Sequence, residues 1–242
     1  MSYWKNIIAF YWLHIYMNIT ILNSVDEAFK ATGLAVVIDV FRAFSSEVYM
    51  FNNGAKYIIP VQTLEEAYEL KKLYPEYILI WERWWLKPEW FDYGNSPTEL
   101  SQADFSDKVI VHTTSNGTKW LALAKNADTI ITGSFINVWA IIHYISHQNP
   151  NDVFLISTSH DIDNRNEDII LAEYIRDVLN ERSIDLSIVK EDLQVQRSNN
   201  FFFSEIWVPI TDFNLCVNID TYDFVIMQKL LDWKNILEKI TL

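Results

Sequence analysis

The chain has 242 residues, of which 50% are hydrophobic and 21% charged, so it can bury the core of one large domain or two modest ones. Its formal net charge of -13, with no run of Lys or Arg, argues against a nucleic-acid partner, because phosphate backbones are bound by clustered basic side chains. Its one cysteine, Cys216, allows no internal disulfide and no zinc spacing is present, so we expect a reducing, cytoplasmic environment and no structural zinc.

Residues 1–16 are apolar and aromatic, with Lys5 as the one basic residue. The stretch is too short to span a bilayer and lacks a small-residue cleavage site, so we expect neither a membrane contact nor a signal peptide. We interpret it as an upstream extension, with translation beginning at Met17. Residues 17–242 are then the expected folded domain.

Short runs rich in β-branched residues predict buried strands, and amphipathic stretches that predict helices separate them. The predicted strands are 34–40, 57–61, 77–81, 108–112, 128–132 and 152–157. The predicted helices are 63–73, which begins with a capping box of Thr63 and Glu66, 134–147 and 166–179. This alternation predicts an α/β fold with a mainly parallel sheet.

Polar residues follow the predicted strands at the points where each strand ends. Asp39 and Arg42 follow the first strand, residues 82–97 the third, residues 113–118 the fourth, and Ser134 the fifth. Ligands of such folds collect at the carboxyl ends of the strands. We therefore expect these groups to line one cleft.

The stretch VIDVFRAFSS, residues 37–46, places an acid and a base three residues apart where a strand leads into a helix. Asp39 suits Mg²⁺, and the planar fork of Arg42 suits a phosphate or carboxylate. Ser45 and Ser46 stand where a helix start offers free amides. The alternative is a structural bridge between Asp39 and Arg42.

The stretch TTSNGT, residues 113–118, combines hydroxyls, an amide and a glycine before a predicted helix. Such a turn suits an anion, although an ordinary turn with an N-cap has the same composition. Glu167 and Asp168 begin another predicted helix. They form either a second acid pair near a metal or, as the favoured reading, acids placed by the helix dipole. The five histidines show no ligand spacing, and none is given a role.

Residues 81–97, WERWWLKPEWFDYGNSP, crowd four tryptophans around residues typical of a polar ligand site. The whole chain has 5 glycines and 10 tryptophans. An average chain of this length has about 17 glycines, which is close to the two counts taken together.

Six motifs, in this order along the chain, resemble the ComB family of 2-phosphosulfolactate phosphatases over about residues 17–230. They are VIDVFRAFSS, NNGAKYIIPV, ER followed by FDYGNSP, TTSNGT, ITGSFIN and FNLCVNIDTYDFV. The resemblance implies an α/β fold with mainly parallel and mixed sheets flanked by helices, in two similar intertwined halves. It also implies a Mg²⁺-dependent hydrolase that converts phosphosulfolactate to sulfolactate and phosphate, as in coenzyme M biosynthesis. We expect a small anionic phosphorylated substrate and a homodimer.

With that resemblance, position and chemistry assign hypothetical roles to the polar residues. Mg²⁺ would be held by Asp39 and by one or more further acids, because hard oxygen ligands suit it; the candidates are Glu82, Asp92, Glu167 and Asp168. Arg42 and Arg83 would clamp the phosphate and the sulfonate or carboxylate. The catalytic set would be Asp39, Arg42, Glu82, Arg83 and Asp92. Substrate hydrogen bonds would come from Ser45, Asn95, Ser96, Thr113, Thr114, Asn116, Gly117 and Ser134.

The family loop resembles GERGG followed by GFDxGNSP, so Trp81, Trp84, Trp85 and Trp90 stand where the family has glycine. Trp120 and Trp139 stand where it has small residues. A glycine codon GGA differs from UGA by one base, and our hypothesis is that these tryptophans are UGA codons that the source organism reads as glycine. If the tryptophans are real, they block the pocket, and the chain is a non-catalytic descendant that binds an anion or a partner. An aromatic carbohydrate or membrane surface would explain the tryptophans but not the retained ER, FDYGNSP and TTSNGT.

Overall fold

A computed structural model of the protein describes residues 17–23, 25–82, 88–114, 117–158, 166–199, 209–232 and 234–242. The strands are β1 (Asn18–Leu22), β2 (Leu34–Ile38), β3 (Tyr57–Val61), β4 (Ile78–Trp81), β5 (Tyr93–Gly94), β6 (Val109–Thr113), β7 (Thr129–Gly133), β8 (Asp152–Ser157), β9 (Phe224–Leu231) and β10 (Lys234–Thr241). The α-helices are α1 (Ala43–Asn52), α2 (Leu64–Leu73), α3 (Pro97–Leu100), α4 (Gly117–Leu123), α5 (Val138–Gln148), α6 (Glu167–Leu179), α7 (Leu186–Asn199) and α8 (Ile210–Cys216). Two short 3₁₀ helices span Val25–Lys30 and Phe135–Asn137.

The six predicted strands are confirmed within two residues at each end, and the three predicted helices are present as α2, α5 and α6. The capping box at the start of α2 is also confirmed. The Glu66 amide donates to Thr63 Oγ1 at 3.2 Å, and the Thr63 amide donates to Glu66 Oε2 at 3.1 Å. Predicted helix 134–147 begins instead with a 3₁₀ turn, Phe135–Asn137, before α5.

The ten strands form one mixed sheet in the order β1-β8-β2-β7-β9-β10-β3-β6-β4-β5. The first four, which we call the first block, are parallel to one another, as are the last four, the second block. The antiparallel pair β9 and β10 joins the blocks. Along the chain, β1 and β2 of the first block come first and are followed by the four strands of the second block. The chain then forms β7 and β8, which complete the first block. This confirms the α/β class and shows that the two blocks are intertwined along the chain.

Helices cover both faces of β2, whose five residues are all buried. Leu34, Val36 and Ile38 pack in one hydrophobic cluster with α5 and α6. Ala35 and Val37 face the other way and pack in a cluster that includes α1. Such two-sided burial explains why the strand is a continuous apolar run instead of an alternating one.

Helix α1 connects the two blocks. Its Phe44 and Val48 share a hydrophobic cluster with Val37 of the first block and with Ile58 and Ile110 of the second. The packing of α1 therefore holds the loop between β2 and α1 next to the second block. The strands of the two blocks point in opposite directions, because each pairing in the series β7, β9, β10 and β3 is antiparallel.

Candidate active site

The loop after β2 places Asp39 at the start of α1. Asp39 is 6% exposed, and its Oδ1 accepts the amide of Ala43 at 3.1 Å while its carbonyl accepts the amide of Phe44 at 3.2 Å. The carboxylate thus satisfies a free amide of the first helical turn. Ser45 donates its hydroxyl to the Val40 carbonyl at 2.8 Å.

Several carboxyl groups lie close enough to Asp39 to disturb its ionisation. Burial is the largest cause that raises the pKa of Asp39 well above its ordinary value, and the charges of Glu82, Asp168 and Glu47 raise it further. Glu82 belongs to the loop after β4 in the second block. The expectation that strand ends of both halves meet is therefore met for Asp39 and Glu82.

Glu167 and Asp168 begin α6, and burial raises their pKa values to about 7 and about 8. Asp168 Oδ1 accepts the Val40 amide at 2.9 Å, and its Oδ2 accepts the amide and the hydroxyl of Thr158, both at 3.2 Å. Asp168 therefore fastens the loops that follow β2 and β8. The Asn166 side chain caps the same helix through the Ile169 amide at 3.0 Å.

On the second block, Asn95 donates its Nδ2 to Glu82 Oε1 at 3.1 Å, and its amide donates to the Trp81 carbonyl at 2.9 Å. Thr113 and Thr114 are buried at the end of β6, and the Thr113 hydroxyl donates to the Ile80 carbonyl at 3.1 Å. Within the described part of the chain, the buried Asn95 Oδ1 has no hydrogen-bond partner. It is a free acceptor beside Glu82.

Other predicted site residues have different surroundings. Asp92 is exposed, and its Oδ2 accepts the Leu79 amide at 2.8 Å and lies 3.5 Å from Lys71 Nζ on α2. The buried Ser134 donates its hydroxyl to Asn137 Oδ1 at 2.9 Å. Gly117 is the first residue of α4, whereas Arg83 and Asn116 lie outside the described residues.

Sequence reasoning missed Asp212, a fully buried residue of α8. Its Oδ2 accepts from Arg42 Nη1 in a buried ion pair, and Arg42 is 9% exposed. Its Oδ1 accepts the Ser96 hydroxyl at 2.7 Å and the Thr98 amide at 2.9 Å. Asp212 follows no predicted strand, so its sequence position alone carried no signal, although the late motif FNLCVNIDTYDFV begins with the next residue.

It also missed a buried pair between α1 and β6. His112 Nδ1 lies 3.0 Å from Glu47 Oε1, and neither side chain is more than 1% exposed. Burial lowers the pKa of His112 to about 4 and raises that of Glu47 well above its ordinary value. The pair ties α1 to β6, the strand that ends at Thr113.

Two described tryptophans of residues 81–97 show unusual geometry. Trp90 has a φ of 74°, is 54% exposed, and touches Tyr68 edge-on with ring centroids 5.6 Å apart. The Nε1 of Trp81 is buried and finds no hydrogen-bond partner within the described part of the chain. Positive φ is uncommon for a bulky residue, and a buried N–H without an acceptor costs free energy.

Among the described residues, no group of three or more His, Cys, Asp or Glu side chains has the geometry of a metal site. In the same residues, no helix is long and apolar enough to cross a membrane.

Fold and site together define an α/β protein in which, among the described residues, the Arg42 guanidinium and several hydroxyls lie beside buried carboxyl groups. The chain belongs to the 2-phosphosulfolactate phosphatase family, a family of phosphoric monoester hydrolases, because the family's model matches residues 19–230. The site residues discussed above all lie within that match.

Relatives named probable 2-phosphosulfolactate phosphatase cover much of the chain. The relative from Thermoplasma acidophilum is 35% identical over 152 residues, which is 63% of this chain and 68% of the relative. The relative from Caldanaerobacter subterraneus subsp. tengcongensis is 31% identical over 220 residues, 84% of this chain and 90% of the relative. The relative from Thermoplasma volcanium is 27% identical over 194 residues, 80% and 88% of the two chains.

Proposed function

We propose that this protein hydrolyses the phosphate ester of 2-phosphosulfolactate, or of a related small phosphorylated acid, in a Mg²⁺-dependent reaction. The observation that carries the proposal is the meeting of Arg42 and Asp39 of one block with Glu82 and Ser96 of the other. A guanidinium, carboxylates and hydroxyls that lie close together are the groups that an anionic ester and a hard cation require. The names of the relatives support the choice of substrate.

A phosphate monoester resists attack because its negative charge repels nucleophiles, so catalysis consists mainly of charge neutralisation and positioning. In a chain of net charge -13 this work is local. Arg42 donates to the phosphoryl or sulfonate oxygens, with Arg83 as its expected partner. Asn95, Thr113 and Thr114 supply neutral polar groups around them.

Asp39 and Glu82 are the residues that would hold Mg²⁺. Mg²⁺ usually binds one or two carboxylates together with water and substrate phosphate, so the lack of a three-residue cluster in the described chain is compatible with it. When bound, the ion neutralises charge on the phosphoryl group. Glu167 stands near Asp39, whereas Asp168 supports the loops and Asp92 keeps its contact with Lys71.

The proposal includes glycine at positions 81, 84, 85 and 90, encoded by UGA and written as tryptophan. Trp90 supports it, because a φ of 74° suits glycine and strains a residue with a Cβ. The buried Nε1 of Trp81, which finds no hydrogen-bond partner among the described residues, supports it too, because glycine has no such donor.

The loop between β9 and β10 supports the same reading independently of the site. Leu231 pairs with Lys234, which leaves only Asp232 and Trp233 in the loop, and Asp232 has a φ of 45°. Two-residue hairpin loops with positive φ strongly prefer the dipeptide Asp-Gly or Asn-Gly. The sequence has Asp-Trp, so glycine at position 233 is expected as well.

Peptide mass spectrometry of the protein from its own cells tests the glycine reading, and phosphate release tests the activity. We expect glycine at positions 81, 84, 85 and 90, and release of phosphate from 2-phosphosulfolactate by the protein with glycine there, the glycine form. EDTA should abolish the activity and Mg²⁺ should restore it.

Tryptophan in those peptides would overturn the glycine reading. Absence of Mg²⁺-dependent phosphate release by the glycine form, across several phosphorylated acids, would instead favour a non-catalytic protein that binds an anion or a partner. The two results are independent, because the first concerns the code and the second the chemistry.

A further inference from the structure

Asp212 connects two loops that the proposed function assigns to the substrate. One carboxylate oxygen is bound by Arg42, from the loop after β2, and the other by Ser96 and the Thr98 amide, from the turn that begins α3. Arg42 and Asp212 are 170 residues apart in the chain, and Asp212 is fully buried. The Asp212 side chain therefore contacts a loop from each block.

We propose that Asp212 is a positioning residue, which holds the Arg42 guanidinium in register with the turn formed by residues 96–98. The inference rests on the proposed function, because that function makes Arg42 a substrate contact. Asp212 itself touches no reacting atom and acts through Arg42.

The geometry of the two groups supports this role. A guanidinium is a planar fork with five N–H donors, so an ion pair through Nη1 restricts the plane in which the whole fork lies. A free arginine side chain would lose rotamer entropy when it binds substrate. The ion pair with Asp212 orders the Arg42 side chain before substrate binds.

A purely structural role for Asp212 predicts a different outcome. Thr211, its neighbour in α8, contacts the same turn through a hydroxyl pair with Thr98 at 2.6 Å, but it has no charge and no bond to Arg42. If α8 only supports the turn, loss of either residue should have similar effects. Thr211→Val is therefore a matched control for Asp212→Asn.

The test compares the two variants in the glycine form, with 2-phosphosulfolactate as substrate. Asp212→Asn keeps the shape of the side chain but removes the negative charge beside Arg42, so attraction of an anionic substrate is not weakened while alignment is lost. We expect kcat to fall by about tenfold to a hundredfold with KM changed by less than about threefold. Thr211→Val should keep both parameters within about twofold.

Arg42→Lys adds a double-mutant cycle to this comparison. If Asp212 acts through the guanidinium, the double variant should lose no more kcat than the larger single loss. Additive losses would overturn the proposal, as would an unchanged kcat in Asp212→Asn or an equal loss in Thr211→Val.

NMR spectroscopy of the Arg42 side chain tests the positioning role without an activity assay. In the glycine form, the side-chain ¹⁵N–¹H NMR signals of Arg42 should be protected from solvent exchange, and Asp212→Asn should remove the protection. If the glycine form releases no phosphate, the proposed function is wrong, but the NMR measurement still tests the positioning role. Unprotected Arg42 signals in the glycine form would overturn that role.

Thermal melting shows whether each variant is folded. If Asp212→Asn does not fold, Asp212→Glu takes its place, since it keeps the charge but moves it by one methylene. The same fall in kcat is expected, and a kcat equal to that of the parent would overturn the proposal.

Discussion

The loop after β2 and the loop after β4 both supply charged groups to the site, yet they satisfy their own backbones differently. In the first, Asp39 accepts the Ala43 amide and Ser45 donates to the Val40 carbonyl, so two side chains satisfy backbone groups of the loop. In the second, Trp90 adopts a positive φ, and at the end of β4 the buried Trp81 Nε1 finds no hydrogen-bond partner among the described residues. Both regions carry polar groups of the site, but the second also places a bulky residue in the left-handed region.

In the second loop, the polar residues and the tryptophans differ in how well they fit their surroundings. Two polar residues of the second loop, Glu82 and Asn95, hydrogen-bond to each other. Tryptophan at 90 conflicts with the local backbone, where glycine would not. Within residues 88–97 the one positive φ falls at a tryptophan, as the proposed codon reassignment would produce.

The largest expected effect comes from the first loop. In the glycine form, Arg42→Ala should lower kcat/KM for 2-phosphosulfolactate by about a hundredfold to a thousandfold, because one positioned donor to a developing charge has that effect. Phosphate release measures it. Arg176→Ala is the matched control, because that guanidinium pairs with Asp177 on the surface of α6 and should leave the rate unchanged. Little loss in Arg42→Ala would contradict the clamp role.

The buried carboxyl groups that surround the first loop should make the metal-free protein less stable as pH rises. Asp168 and Glu167 have folded-state pKa values raised to about 8 and about 7, so between pH 6.5 and 8 the folded state holds protons that the unfolded state has released. The free energy of unfolding should then fall by about 2 kcal/mol across that range. His112, with its pKa lowered to about 4, acts in the opposite direction only below about pH 6.5.

Urea unfolding in EDTA at several pH values measures this dependence. Added Mg²⁺ should reduce the slope, because a cation held by Asp39 would lower the pKa values of the neighbouring Glu167 and Asp168. Stability that rises from pH 6.5 to 8 without metal would show that these groups are ionised in the folded protein.

The smallest expected effect is a change in stability caused by a substitution in the second loop. Trp90→Gly in the tryptophan form should raise the free energy of unfolding by about 1 kcal/mol, because it removes a strained left-handed residue that is already half exposed. Val195→Gly, in the interior of α7 and also exposed, should lower it by roughly 0.5 kcal/mol, because glycine is unfavourable in a helix interior. Equal destabilisation by both changes in urea unfolding would argue against a glycine backbone at position 90.

Local patterns predicted much of the fold. The β-branched run at 34–40 and the capping box of Thr63 and Glu66 carried enough local information to place β2 and α2. The hairpin of β9 and β10 was not predicted, because its turn has tryptophan where glycine would mark it. For the site, strand ends correctly indicated that Asp39 and Glu82 lie near each other. The environments of Asp92 and Asp168 depended on contacts with Lys71 and Thr158 that sequence position does not reveal.

By itself, the sequence determined the six strands β2, β3, β4, β6, β7 and β8, the helices α2, α5 and α6, the acids and bases at the strand ends, and the deficit of glycine. These features are encoded within a few residues, by periodicity, capping and composition. Only the tertiary structure decided that Asp212 joins Arg42 to Ser96 and that Glu47 meets His112, because these pairs form across 65 or more residues of chain. Their partners are chosen by the packing of α1 and α8 between the two blocks, which no local pattern specifies.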